Sequence, residues 1–314
     1  MRSIRLTVLL PLIMAAAPPP GPVLPPPATP ADQAHDLRIA NDANNRMTVA
    51  VRVGTKGPYH FLVDTGAERT IISRQLAQRL SLPPGPLTRI QSVAGPSIVA
   101  TVDIGEIEVA TRRFSVVAAP TLETEHIGAD GLLGVDSLVA SRVLFDFRRG
   151  IMGVSPSRAA DFPAESGTIV VEARRRHGRL MFTHATVDGS PTTVVIDTGS
   201  QVTIGNGALR RRLLGNRASG QPIELLTVAG EKVQAELYRI ASLNLDGVEL
   251  QHLYIAFTDS PVFGQLELGD RPALLLGMNA LRGFDKVSID FATRRVRFLL
   301  PGSSLAAEPR LASR

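Results

Sequence analysis

The sequence predicts an all-β protein, mainly strands with short helices, built as two similar halves. Three observations carry that expectation. Short apolar runs, several alternating with polar residues, end at Gly, Pro or Asp-Gly turns, as half-buried strands do. Gly 27 and Pro 23 among 314 residues supply the turns. Four landmarks also recur in the same order. Asp64-Thr65-Gly66 returns as Asp197-Thr198-Gly199, and Val93-Ala94-Gly95 as Val228-Ala229-Gly230. Leu132-Leu133-Gly134 returns as Leu275-Leu276-Gly277, and Asp146 as Asp290. The offsets are 133, 135, 143 and 144 residues (197 − 64, 228 − 93, 277 − 134, 290 − 146). So long a period is a duplication at domain scale, not a solenoid.

Taken in order, residues 1–17 have the shape of a secretory signal: Arg2 and Arg5, an apolar run, then Ala15-Ala16-Ala17. The apolar run falls short of the roughly 20 residues a membrane span needs. Residues 18–34, with Pro18-Pro19-Pro20 and Pro25-Pro26-Pro27, read as a stiff extended spacer. The first half is expected over 35–154. Met47 to Val53 alternates as a strand, Gly54 to Pro58 turns, and Tyr59 to Val63 delivers Asp64. Residues 155–167 read as a linker, and the second half is expected over 168–302, followed by a tail at 303–314. There Leu180 to Val187 runs out, Asp188 to Pro191 turns, and Thr192 to Ile196 delivers Asp197. Ser73 and Asn206 are placed to cap short helices bearing Leu76 and Leu80, and Leu209 and Leu213. Asp136 and Asn279 are expected as further caps, and Asp146 and Asp290 as structural acids. Arg174-Arg175-Arg176-His177-Gly178-Arg179 reads as an exposed hairpin turn.

An apolar strand ending in Asp-Thr-Gly sets a carboxylate at the edge of a core, which is costly unless the acid is hydrogen-bonded or shares its charge. Two such strands suggest carboxylates that face each other. The twin motif, with its accompanying landmarks, resembles the aspartic peptidases, and specifically their retropepsin-like branch; the match spans nearly all the chain after residue 34. The resemblance implies two β-barrel lobes related by a pseudo-twofold axis, with Asp64 and Asp197 as the catalytic pair. It implies that Thr65 and Thr198 brace the two loops, and that Gly66 and Gly199 let backbone N–H groups reach the carboxylates. It implies flaps over substrate at Val93, Ala94, Gly95 and at Val228, Ala229, Gly230; neither tip has the Tyr of pepsin-type flaps. It also implies that the Leu-Leu-Gly elements run beneath the active-site loops. The motifs differ at their fourth place, Ala67 against Ser200. A Ser200 hydroxyl bonded to its carboxylate would make Asp197 the more often charged.

The expected activity is that of an aspartic endopeptidase. Two close carboxylates cannot both ionise, so one takes a proton from water while the other donates to the substrate carbonyl. The expected partner is a peptide or protein substrate, met by a monomer with both acids in one chain; lobes paired between chains are the alternative arrangement. A non-catalytic cleft that binds a peptide or partner is the other functional reading. The absence of Cys removes disulfides and thiolate sites, and the six His residues show no paired metal spacing, so no metal or cofactor is expected. Net charge is +5, but the Arg residues are scattered and aromatics make up only 4%, so nucleic acid is not an expected partner. No membrane span is expected after signal removal, and the leader points to an exported protein, periplasmic or secreted.

Overall fold

A computed structural model describes residues 46–164, 166–176, 178–215 and 220–302. The signal at 1–17, the spacer at 18–34, His177 of the basic run and the tail at 303–314 lie outside the described residues.

Strand Val49–Val53 buries Val49, Val51 and Val53 and exposes Ala50 and Arg52, the alternation of a half-buried strand. It pairs antiparallel with Lys56–Val63, which starts exposed and ends in the buried run Phe61-Leu62-Val63. Gly131–Leu133 runs parallel on the other side of that run and antiparallel to Ile71–Ser73. From there the sheet continues through Ala119–Leu122 and Pro96–Val102 to Pro84–Gln91. At its other edge Val49–Val53 leads to Gly105–Val109 and then Arg112–Val116.

The second half repeats this nine-strand order. Ser190–Ile196 lies between Arg179–Val187 and Ala273–Leu276, and the path ends in the hairpin Gln221–Leu226 and Lys232–Arg239. The turn between its first two strands holds Asp188 at φ 45 and Gly189 at φ 76, the left-handed pair that matches the twist of a tight hairpin. Even the registers repeat: Val49 faces Phe61 and Phe182 faces Val194, each member 133 residues from its counterpart (182 − 49, 194 − 61). The duplication is therefore structural, and the fold is two β-barrel-like lobes.

A third sheet joins the halves, in the order Ile151–Pro156, Ser141–Asp146, Lys286–Asp290, Arg295–Leu299, Thr168–Glu172. Its central pair couples equivalent strands of the two halves, with Leu144 opposite Ser288. One buried cluster runs across both halves and includes Phe145, Phe182, Phe284, Phe291 and Phe298. Val, Leu, Ile and Ala fill most of the core, but six of the 11 phenylalanines are among its largest fully buried side chains. Each is worth about 1.5–3 kcal/mol of burial.

Asp146 and Asp290 serve this sheet, not the motif. Asp146 accepts from Arg149 N at 3.0 Å. Asp290 accepts from Arg142 Nη2 at 2.8 Å and Ser157 Oγ at 2.6 Å. Of the segment expected as a linker, Ser155 and Pro156 belong to this sheet and Asp161 is fastened to it, accepting from Ser288 Oγ at 3.1 Å and pairing with Arg142.

Ser73 and Asn206 cap their helices as expected, accepting from Leu76 N at 3.1 Å and Leu209 N at 2.8 Å. Asp136 and Asn279 do not cap. Gly134 and Gly277 occupy the cap positions, and the two side chains turn inward. Asp136 accepts from the backbone and hydroxyl of Thr70, and Asn279 from those of Thr203. Among the described residues no helix is long and apolar enough to cross a membrane.

Candidate active site

Each Asp-Thr-Gly motif follows a buried strand and is suspended from the Leu-Leu-Gly element beside it. Asp64 N donates to Leu133 O and Asp197 N to Leu276 O, both at 3.0 Å. Val135 N then donates to Ala67 O at 2.9 Å and Met278 N to Ser200 O at 2.8 Å. A Cβ on Gly134 would come within 2.5 Å of the Arg69 backbone, and one on Gly277 within 2.6 Å of Val202. Only glycine lets the backbones pass this closely.

The two loops grip each other. Thr65 Oγ1 donates to Ile196 O at 2.8 Å, and Thr198 Oγ1 donates to Val63 O at 2.7 Å. In return each hydroxyl accepts from the other threonine's N–H at 3.1 Å. Both threonines are buried, so these four bonds are shielded from water. The carboxylates are held by their own loops. Asp64 Oδ1 accepts from Gly66 N at 2.8 Å and Ala67 N at 3.0 Å. Asp197 Oδ1 accepts from Gly199 N at 3.1 Å and Ser200 N at 3.3 Å.

The acids face each other across the grip. A Cβ added to Gly66 would lie 2.5 Å from Asp197 Oδ1, and one added to Gly199 would fall on the Asp64 carboxylate. A Gly199→Ala variant is therefore expected to disturb the Asp64 carboxylate and to lose several degrees of thermal stability. Melting by circular dichroism checks this, and an unchanged Tm would contradict it.

Burial raises the pKa of Asp64 above the ordinary carboxylate value, against its backbone bonds and the charges of Arg179 and Arg46. Burial also raises Asp197, and the facing charge of Asp64 adds to it, pushing Asp197 up to about 7. The expectation that Asp197 is the more often charged rested on a bond from the Ser200 hydroxyl to that carboxylate, and that bond does not form. The Ser200 hydroxyl donates to Val202 O at 2.6 Å, closing its own turn, and so gives the carboxylate nothing.

The segments expected as flaps are hairpin tips that meet. Pro84–Gln91 and Pro96–Val102 carry Val93, Ala94 and Gly95; Gln221–Leu226 and Lys232–Arg239 carry Val228, Ala229 and Gly230. Val93 packs on an apolar cluster of the second half, with Met181, Val195 and Ile204. Val228 packs on a cluster of the first, with Leu62, Ile71 and Leu132, beside Ala67. Each tip thus crosses to the opposite lobe.

Glu231 fastens them. It accepts from Ser92 Oγ at 2.7 Å, from Ser97 Oγ, and from Thr227 Oγ1 at 3.1 Å. Burial works against its charge, but the three hydroxyls outweigh that and hold its carboxyl below the usual glutamate value. The latch is therefore intact at neutral pH and lost as pH falls through that lowered pKa. A Glu231→Ala variant is expected to speed amide exchange at residues 92–97 and 227–231 about tenfold, the scale of one charge-assisted hydrogen bond. Unchanged exchange would show that the tips are held by something else.

Two arginines complete the site, and sequence reasoning missed both. Arg174, Arg175 and Arg176 are exposed as expected, but Arg179 is only 5% exposed. It donates from Nε to Gly66 O at 2.7 Å and from Nη1 to Glu68 Oε1 at 3.3 Å. Its counterpart, 133 residues earlier (179 − 46), is Arg46. Arg46 lines a small cavity with Gly199 and Gln201, the counterparts of Gly66 and Glu68. The signal was present in the sequence: the offset that relates the two aspartates also relates the two arginines.

The family model for aspartyl proteases matches the chain at residues 49–137 and 183–280. The two regions together cover more than half of the chain, and each contains one Asp-Thr-Gly motif and one Leu-Leu-Gly element. No curated protein matches the chain significantly.

Proposed function

The chain belongs to the aspartyl protease family, and on that premise we propose that it is an aspartic endopeptidase whose catalytic pair is Asp64 and Asp197. The observation that carries this reading is the reciprocal Thr65–Thr198 grip, with each motif glycine open to the other lobe's carboxylate. Two buried acids so placed hold one proton between them at neutral pH.

The ionised carboxylate takes a proton from a water molecule as the water oxygen bonds to the substrate carbonyl carbon. The protonated carboxyl gives its proton to the carbonyl oxygen, forming a tetrahedral diol. Collapse of the diol returns a hydroxyl proton to the dyad, breaks the C–N bond and sends the other proton to the leaving amine. The pair ends with one proton, as it began. Gly66 N, Ala67 N, Gly199 N and Ser200 N stabilise charge on the carboxylates throughout. The tips at 92–95 and 227–231 serve as flaps that must part to admit a peptide and then exclude water around it. Tyr is absent from both tips, so no flap phenol serves the substrate there.

Both acids come from one chain, which supports a monomer with an intramolecular dyad. The leader at 1–17 supports export to the periplasm or beyond; fractionation of expressing cells checks this, and protein confined to the cytoplasm would overturn it. The binding-cleft reading is less favoured, because two facing buried carboxylates are costly and binding alone does not need them. Digestion of a peptide library over about pH 3 to 8, the range in which such dyads titrate, tests the proposal. Cleavage blocked by a transition-state-analogue inhibitor is expected. An intact library, with the inhibitor still bound, would favour the binding cleft.

A further inference from the structure

The two halves treat their equivalent arginines differently. Arg179 is buried and faces a carboxylate, Glu68. At the position equivalent to Glu68 the other half has Gln201, which is neutral (201 − 68 is again 133). Arg46 donates from Nη1 to Ile127 O at 3.0 Å, and its buried Nε has no hydrogen-bond partner among the described residues. Among the described residues no carboxylate forms an ion pair with it, and its field reaches Asp64. Arg282 adds further positive charge near it. Asp64 therefore feels both arginines, whereas Asp197 feels Arg179, whose charge is offset by Glu68, and the negative charge of Asp64. The backbone bonds lean the same way: those to Asp64 are 2.8 and 3.0 Å, those to Asp197 3.1 and 3.3 Å. Shorter N–H bonds favour the charged form more.

We propose that Arg46 is a positioning residue that decides where the dyad keeps its proton, while Arg179 acts on both members: Asp64 is the ionised one and Asp197 the proton carrier. Resting on the peptidase reading above, this assigns roles within it. Asp64 takes the proton from water, and Asp197 donates to the substrate carbonyl. The asymmetry comes from Gln201 standing where its counterpart is an acid, and not from Ser200.

Carboxyl carbon NMR of the full chain, labelled at Asp and assigned with Asp64→Asn and Asp197→Asn variants, tests the inference without requiring catalysis. In the wild type Asp64 is expected to ionise first, with Asp197 protonated up to about 7. Arg46→Met removes one of the two cations and should raise the Asp64 midpoint by about one pH unit. Gln201→Glu, which supplies the missing carboxylate and leaves Arg46 in place, should move it the same way. Glu68→Gln frees the charge of Arg179 and should lower both midpoints. If Asp197 ionises first, or if Arg46→Met and Gln201→Glu both leave Asp64 unmoved, the inference is wrong. A protein that titrates as described but cleaves no peptide would overturn the peptidase reading and leave this assignment standing.

Discussion

Replacing Asp64 with Asn is expected to reduce peptide hydrolysis by about a thousandfold or more, with the fold unchanged. The Asn side-chain oxygen still accepts from Gly66 N and Ala67 N, and the threonine grip uses no atom of Asp64. What is lost is the ability to take a proton from water. Asp197→Asn should be equally inactive, because the shared proton needs both members. Asp146→Asn is the matched control. Its carboxylate serves a turn through Arg149 N, so it should leave kcat/KM within about twofold, as substitutions away from a site do. Residual activity near the wild-type level in Asp64→Asn would end the proposed mechanism.

The second large effect concerns stability against pH. Asp197 has its folded pKa raised from 3.8 to about 7, by burial first and then by the charge of Asp64. A carboxyl raised in this way binds its proton more tightly when folded. Its favourable contribution is complete below the unfolded value and is lost as pH rises through the folded one. Thermal stability should therefore fall between about pH 4 and pH 7 and level off above, by an amount on the order of a few kcal/mol. Asp197→Asn removes the group. That variant should melt about 5 °C or more above the wild type at pH 8 and close to it at pH 4. Catalytic rate should decline over the same upper range, as the dyad loses its only proton. Wild-type and Asp197→Asn melting curves that stay parallel from pH 4 to pH 8 would contradict this account.

Much of this was legible in the sequence because strands and turns leave local marks. Phe61-Leu62-Val63 and Val194-Val195-Ile196 announce buried strands, Asp188-Gly189 announces a tight turn, and the recurring landmarks give the two halves. The less legible features depend on what lies across the fold. Asp136 and Asn279 look like caps because each follows a helix start. Their partners, Thr70 and Thr203, are 66 and 76 residues away. Ser200 sits beside Asp197 in sequence, yet its hydroxyl closes a turn with Val202. Arg179 belongs to a run of basic residues whose first three are exposed, so the local sequence hides it, and only the 133-residue offset to Arg46 sets it apart. Glu231 reads as a charged residue at a turn until the opposite tip brings Ser92 and Ser97 to it.

The sheet that ties Ser141–Asp146 to Lys286–Asp290 has a further consequence. When such a site is assembled from two identical chains, every change in the gene appears twice and the centre stays even-handed. Here each position is encoded once, so one side can drift without the other. Glu68 beside Gln201, Ala67 beside Ser200 and Asp136 beside Asn279 record that freedom, and fusion is what allows the two acids to take on separate jobs.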